Sequence, residues 1–438
     1  MNSKTYKKAL GGLTVAALML GAGPAFAEVS PESQYIFNTL LFLIGGFLVM
    51  WMAAGFAMLE SGLVRSKNVA TICLKNIALY SVAGLMFWVM GYNLMYSGDE
   101  ITYFGTWFSP WAAADPEGDF SGGYASGSDW FFQMVFCATT ASIVSGTLAE
   151  RIKLWPFLIF TVVLTGVIYP IVGSWEWGGG WLDQQGFSDF AGSTLVHSTG
   201  GWAALVGAII LGARKGKFAA DGTIHPMPGS NLPLATLGTF ILWLGWFGFN
   251  GGSQLAIGSG ADAAAVSNIF INTNMAAAAG VVAAMILTGI LYKKVDLTMA
   301  LNGALAGLVS ITAEPLTPSI PAAIIIGAIG GVLVVIAVPL LDKLKIDDVV
   351  GAVSVHLVCG IWGTMAVPIT NGDVTFQSQA VGVIGVGVFT VVASAIVWGL
   401  LKVTVGIRVT DEEEYEGLDK AELGMEAYPE FGSGSQTL

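Results

Sequence analysis

The sequence predicts an all-α integral membrane protein of eleven transmembrane helices. Three observations predict it. Hydrophobic residues make up 54% of the 438 residues and charged residues only 11%, with a mean hydropathy of +0.71, which excludes an ordinary soluble domain. Apolar segments of about 20 residues recur along the chain. Positively charged residues fall in alternate connections between these segments, a distribution typical of loops on the inner side of a membrane.

Residues 1–27 are predicted to form a secretory signal peptide. Lysines provide the positive start, an apolar run follows, and Ala25-Phe26-Ala27 supplies a small-x-small cleavage site. The alternative is an uncleaved first membrane helix, but glycine and proline interrupt the run. We therefore expect the mature chain to begin near Glu28, with its N-terminus outside.

The predicted membrane domain spans residues 28–404 and contains eleven apolar segments. The eighth is short for a membrane span. The segments lie near residues 35–59, 76–96, 129–148, 155–174, 194–212, 233–252, 268–292, 298–312, 319–341, 351–368 and 379–403.

The distribution of charge supports this count. Of the 18 lysines and arginines, 17 lie in the N-terminal segment, in alternate connections or in the tail, residues 405–438, and Lys402 lies at the end of the last segment beside the tail. The positive-inside rule then places the mature N-terminus outside and the tail in the cytoplasm, so the number of spans is odd. These features predict a multi-pass protein of the cytoplasmic (inner) membrane. No basic cluster of the kind that binds nucleic acid is present.

Two histidines lie inside apolar segments, His197 in the fifth and His356 in the tenth. Each follows a valine and precedes a glycine by four residues. An ionisable residue at membrane depth suggests a functional site. Segments one to five begin outside and segments six to ten begin inside. The chain is therefore predicted to form two inverted five-helix repeats plus a closing helix, with the histidines near the midplane.

The chemistry open to this pair is limited. The third histidine, His225, lies in a polar loop, and the three cysteines are not spaced as a metal site. Asp189 is too far along the chain to orient His197 directly, so no catalytic triad is indicated. A hydrogen-bonded pair of neutral imidazoles can line a narrow pore, bind a small polar solute or relay a proton. Two purely structural histidines are the alternative.

Aromatic residues and one acid accompany the histidines. Individually they are typical of membrane-interface belts or core packing. Together on the outer side, Trp177 and Phe136 are hypothesised to offer ring faces to a cation, and Ser253 an acceptor oxygen. Asp189 is expected mainly to cap the helix that follows it, with an electrostatic contribution to the outer site.

Several motifs occur in order along the chain. They are Ser66-Lys67-Asn68, Gly146-Thr-Leu-Ala-Glu150-Arg151, Trp177-Gly-Gly-Gly180, Asp189-Phe-Ala-Gly192, Gly245-Trp-Phe-Gly-Phe-Asn250, Val355-His356 with Cys359-Gly360, and Gly417-Leu-Asp419. By these motifs the chain resembles the ammonium transporter (Amt/Mep/Rh) family, prokaryotic Amt type, from about residue 34 to 428. The resemblance implies transport of ammonium or ammonia across the lipid bilayer, by a homotrimer with a pore within each protomer and without a cofactor or metal.

The resemblance also implies roles for individual residues. Trp177, Phe136 and Ser253 would form the outer ammonium site, which Asp189 would hold in shape. Phe136 and Phe249 would form a stacked gate. His197 and His356 would be the twin histidines that line the pore below the gate.

Two departures from the family pattern stand out. Some bacterial members carry an acid five residues before the second histidine, where this chain has Gly351. Some carry a histidine at the position of Leu423. This departure concerns the tail, where the resemblance implies docking of a PII-type signal protein at the cytoplasmic face. The alternatives to transport are an ammonium sensor that signals through a partner on the inner face, and a membrane oxidoreductase with haem between His197 and His356.

Overall fold

A computed structural model describes residues 29–98 and 102–430. The predicted signal peptide, residues 1–27, lies outside the described residues. The described chain is helical, with two isolated β-bridges as its only extended pairings.

Eleven long helices follow one another in the described chain, and two short helices follow in the tail. The long helices are α1 (Pro31–Leu63), α2 (Ser66–Tyr96), α3 (Ser126–Thr147), α4 (Leu154–Ser174), α5 (Ser193–Leu211), α6 (Leu232–Gly252), α7 (Gly260–Tyr292), α8 (Leu297–Ile311), α9 (Ile320–Lys343), α10 (Val353–Thr370) and α11 (Phe376–Thr404). The short helices are α12 (Asp411–Glu416) and α13 (Leu418–Leu423).

The described helices confirm the predicted all-α membrane fold. Nine of them are long and apolar enough to cross a membrane, and α3 and α8 are the other two. Helix α8 has 15 residues, as short as the sequence indicated. Each predicted segment corresponds to one helix, whereas a count of eleven membrane crossings stays a prediction.

Two helices begin earlier than predicted. Helix α2 begins at Ser66 rather than near residue 76, and α7 begins at Gly260 rather than near residue 268. Lys75, assigned to a connection from the sequence, therefore lies inside α2 with its side chain fully buried. A charged residue beside an apolar segment is typical of a loop, but here the helix begins nine residues earlier and neighbouring helices cover the side chain.

Polar residues begin most of these helices. Their side chains accept hydrogen bonds from backbone N–H groups of the first turn, which have no partner within the helix. These capping residues are Ser30, Asn231, Ser259, Asp296, Ser319 and Thr375.

Small residues let the helices pack closely. A Cβ atom on Gly238 of α6 would lie 2.2 Å from the backbone nitrogen of Leu59 in α1, and one on Gly331 of α9 would lie 2.2 Å from the carbonyl oxygen of Gly280 in α7. Glycine at such contacts is typical of helix association in lipid. Helices α1 and α6, which begin the two predicted repeats, are thus in direct backbone contact.

Large apolar side chains cover the outward faces of the bundle. Ile77, Phe240, Ile286, Ile325 and Val388 are each more than half exposed. An apolar surface of this extent is unfavourable in water and is expected where helices face lipid.

The tail packs on the ends of α2 and α4. The Asp419 carboxylate accepts hydrogen bonds from the backbone N–H groups of Ala70 and Thr71, at 3.0 and 2.8 Å. The Glu422 carboxylate accepts one from the N–H of Leu154 at 2.7 Å. The described part of the tail is therefore folded onto the membrane domain rather than freely solvated.

Candidate functional site

A cavity of about 330 Å³ opens on the predicted outer side of the bundle. Trp177, Phe136 and Ser253, the three residues predicted for the outer site, all line it. Asp129 and Tyr92 line it too, and the Tyr92 hydroxyl donates a hydrogen bond to the Asp129 carboxylate. Among the described residues that line this cavity, Asp129 is the one carboxylate.

The three predicted outer-site residues are held by contacts with the backbone and with one another. The Trp177 indole N–H donates to the carbonyl oxygen of Asp189 at 3.1 Å. The rings of Trp177 and Phe136 meet edge to face, with centroids 6.1 Å apart. The Ser253 hydroxyl donates to the carbonyl oxygen of Phe249 at 2.8 Å, which leaves its oxygen free to accept.

Two stacked phenylalanines close the floor of the cavity. The rings of Phe136 and Phe249 lie with centroids 4.0 Å apart and an interplanar angle of 25°. Both side chains are buried. Helices α3 and α6 each contribute one ring, so a passage between them requires the rings to move.

The two histidines lie directly beyond Phe249. The His197 ring stacks on Phe249, with centroids 5.3 Å apart, and on Trp246, at 5.0 Å. The Nδ1 atoms of His197 and His356 lie 3.2 Å apart. Phe136, Phe249, His197 and His356 thus form a continuous row of rings through the core.

The hydrogen bond between the histidines restricts their protonation. One Nδ1 donates and the other accepts, so in a neutral pair the accepting ring carries its proton on Nε2. The His197 Nε2 has no hydrogen-bond partner among the described residues, although the side chain is fully buried. This nitrogen is available to a small polar solute in the row.

Local backbone geometry places both histidines. Each lies in a π-helical turn that begins its helix, Ser193–Ser198 in α5 and Val353–Val358 in α10. Such widened turns occur often at functional sites. The turns bring the two rings together where the helices meet.

Asp189 caps α5 with both carboxylate oxygens. One oxygen accepts from the N–H groups of Gly192 and Ser193, and the other from those of Thr194 and Leu195, at 2.7 to 3.2 Å. Burial raises the pKa of the Asp189 carboxyl to about 6, against the lowering effect of these four bonds. Asp189 does not line the outer cavity, but its backbone carbonyl group accepts the hydrogen bond of Trp177, which does.

A comparison with protein families decides the class of this chain. The model of the Ammonium Transporter Family matches residues 40–428. The chain belongs to the ammonium transporter family. The chain functions in ammonium transport, and its family consists of transport proteins rather than enzymes.

Individual relatives agree with the assignment to the ammonium transporter family. The chain is 42% identical to ammonium transporter Amt2 of Archaeoglobus fulgidus, over 96% of each chain. It is 40% identical to a putative ammonium transporter of Synechocystis, over 94% of this chain and 95% of that one.

Solved structures of the family share the fold. A structure described as a sensor Amt protein superposes with a TM-score of 0.83 at 36% identity, covering 90% of this chain and 100% of that one. Mep2 of Candida albicans superposes with a TM-score of 0.78 at 25% identity, covering 88% and 89%.

Sequence reasoning missed a second aspartate that caps a histidine-bearing helix of this ammonium transporter. Asp348 precedes His356 by eight residues, as Asp189 precedes His197. Its carboxylate accepts from the N–H groups of Val353 and Ser354 and from the Thr147 hydroxyl. Burial raises its pKa to about 6 as well. The start of α10 is therefore capped like the start of α5. The capping acid lies three residues before Gly351, the position at which some family members carry an acid.

A glycine lies in the same relative position after each of the two capping aspartates. Gly192 and Gly351 have backbone φ angles of +104° and +83°, in the left-handed region that favours glycine. The repeated pattern Asp-x-x-Gly-x-x-x-x-His was the signal that could have revealed Asp348.

Proposed function

We propose that this ammonium transporter recruits ammonium in the outer cavity, removes its proton near the phenylalanine gate and conducts ammonia along His197 and His356. The observation that carries the proposal is the row of four rings beneath a cavity that holds a carboxylate. This row joins the predicted outer site to the twin histidines without a gap.

Recruitment rests on the chemistry of the outer cavity. A cation binds over the faces of aromatic rings, and Trp177 and Phe136 supply two of them. Ser253 supplies an acceptor oxygen, and Asp129 supplies negative charge at the wall. The capped Asp189 keeps Trp177 in place through its backbone carbonyl group.

Selectivity follows from the cost of dehydration. An ion between Phe136 and Phe249 would lose its hydration without gaining charged partners, which costs several kcal/mol or more. Ammonia is neutral and crosses such a region at little cost. Potassium has no proton to lose, so it stays outside.

The twin histidines suit a neutral solute that both donates and accepts hydrogen bonds. The unpartnered Nε2 of His197 offers a polar contact directly beyond the two apolar phenylalanine rings. The Nδ1–Nδ1 hydrogen bond to His356 also provides a path along which a proton can shift from one ring to the other.

Membrane placement and assembly form part of the same proposal. Residues 1–27 direct export and are removed, the domain 28–404 lies in the inner membrane, and the tail 405–438 lies in the cytoplasm. The alternation of positive charge supports this orientation. Likeness to the family supports a homotrimer, and the folded tail offers a surface for a PII-type protein.

Sensing is a second candidate function. Its support is the structural likeness to a protein described as a sensor Amt. In that case the outer cavity binds ammonium, and the docked tail transmits the state of the cavity to a partner.

One experiment separates the two functions. Purified protein in liposomes receives an external ammonium jump while membrane current and lumenal pH are recorded, with a potassium jump and protein-free liposomes as controls. Transport predicts an ammonium response above that of protein-free liposomes and no potassium response. Ammonium binding without either signal would favour the sensor.

A further inference from the structure

A second, smaller cavity lies on the far side of the histidine pair. Its volume is about 10 Å³, close to the smallest space that holds one water molecule. His356 borders this inner cavity, and so does Glu60 of α1. The inner cavity is therefore the point at which the row of rings meets a carboxylate.

Glu60 is buried, and only one of its two carboxylate oxygens accepts hydrogen bonds from described residues. The side chain is 1% exposed. Its Oε2 accepts hydrogen bonds from the Asn76 amide at 3.0 Å and from the Ser145 hydroxyl at 2.9 Å. Its Oε1 has no hydrogen-bond partner in the part of the chain that the structure describes.

A buried lysine balances this carboxylate through a shared serine. The Lys75 ammonium donates to the Ser145 carbonyl oxygen at 3.3 Å and lies 5.0 Å from the centre of the Phe157 ring. Ser145 therefore contacts both charged groups. The other charged side chains that act on Lys75 are Arg151, Glu150 and Glu422.

Stability alone is a poor reason for this arrangement. Removing two charges from water costs several kcal/mol each, and apolar residues of the same volume often stabilise a protein as well or better. An unpartnered carboxylate oxygen adds to that cost. The position of Glu60 beside His356, the inner of the two pore histidines, is the position that a proton acceptor requires.

We propose that Glu60 is the proton acceptor at the inner end of the pore. The inference rests on the proposed transport function, in which ammonium loses its proton above the histidines. It adds the group that receives this proton on the inner side, so that ammonium is restored there and net charge crosses the membrane.

The transfer balances in two steps. The Nε2–H bond of a protonated His356 breaks, its electron pair stays on the ring, and the proton joins the Oε1 of Glu60, directly or through one water in the inner cavity. The neutral carboxyl then gives this proton to an ammonia molecule that leaves the pore. The carboxylate is restored, and the ammonium formed enters the inner solution.

The test uses full-length protein in liposomes, with current and lumenal pH recorded on an ammonium jump. The variants are Glu60→Gln and the double variant E60Q/K75Q, which removes both charges in case the single variant leaves Lys75 unpaired and misfolds. The control is Glu314→Gln. It removes a buried carboxylate outside the pore that accepts hydrogen bonds from Thr317 and Asn371.

We expect the Glu60 variants to lose at least about tenfold in current, a lower bound for the loss of one general acid–base group, while ammonia still crosses alone and alkalinises the lumen. The control should keep its current. Three results would overturn the inference: current within about twofold of wild type, loss of both signals in folded variants, or a wild type that alkalinises without current. A wild type silent in both recordings would instead refute the transport function.

Discussion

The Nδ1 atoms of His197 and His356 lie 3.2 Å apart, although 159 residues separate them in the chain. Each ring projects from a π-helical turn at the start of its helix, and each helix start is capped by an aspartate eight residues before the histidine. This repetition matches the two inverted halves predicted from the sequence. Because the two halves repeat in this way, the function of the histidines is best tested on the pair rather than on either residue alone.

The outer cavity predicts a role for Asp129 in affinity. Asp129→Asn removes the one carboxylate of its described lining, so we expect the apparent ammonium affinity to weaken by about 1 kcal/mol, or roughly fivefold, with a smaller change in maximal rate. Concentration dependence of uptake measures this. Glu117→Gln, at an exposed acid in the connection that precedes α3, is the control. Equal affinities in both variants would exclude a specific contribution from Asp129.

The caps predict matched effects for Asp189 and Asp348. Alanine at either position leaves backbone N–H groups buried without acceptors, at about 1–3 kcal/mol for each such group. We expect both variants to lower the thermal midpoint and to lose most transport, with Asp189→Asn intermediate because it retains one acceptor oxygen. Asp183→Ala, at an exposed acid nearby, should change neither property. A stable and active Asp189→Ala protein would refute the capping role.

External pH should control transport through Asp189. Its folded pKa of about 6 lies above the ordinary value of 3.8, so the carboxyl takes up a proton as external pH falls through 6. Protonation replaces an acceptor oxygen with a hydroxyl group that faces N–H donors, and transport should decrease. The folded state binds this proton more readily than the unfolded chain, so stability should not fall with it.

The measurement for this pH effect is ammonium uptake at fixed lumenal pH, from external pH 8 down to about 5. Asp189→Asn should show a flatter profile at its own lower rate. A wild-type profile that is flat across pH 6, or an unchanged slope in the variant, would contradict the assignment.

The sequence revealed those parts of the site that contrast with their surroundings. His197 and His356 stand out in apolar segments, and the resemblance to the family predicted Phe136 and Phe249, whose stacking the structure shows. Glu60 and Lys75 did not stand out, because an acid or a lysine near a helix end looks solvated until other helices cover it. Their burial depends on contacts with α3, which is distant in sequence.

The contacts of the tail predict that substitution of Asp419 releases the tail from the membrane domain. Asp419→Ala removes the acceptor for two backbone N–H groups and the hydroxyl of Thr71 at the start of α2. We expect faster proteolysis of the tail by at least about fivefold, since the lost contacts are worth about 1–3 kcal/mol. Glu416→Ala, at an exposed position of α12, is the control. Equal cleavage rates would show that Asp419 does not hold the tail.

The histidine pair gives the most direct test of the account. Ammonium uptake into liposomes, with potassium as the competing cation, is measured for wild type, H197A/H356A and His225→Ala. His225 is an exposed histidine outside the pore, so its variant should match wild type. The account predicts that the double variant loses selective ammonium conduction. An unchanged rate and selectivity in the double variant would contradict the central claim that this pair conducts the substrate.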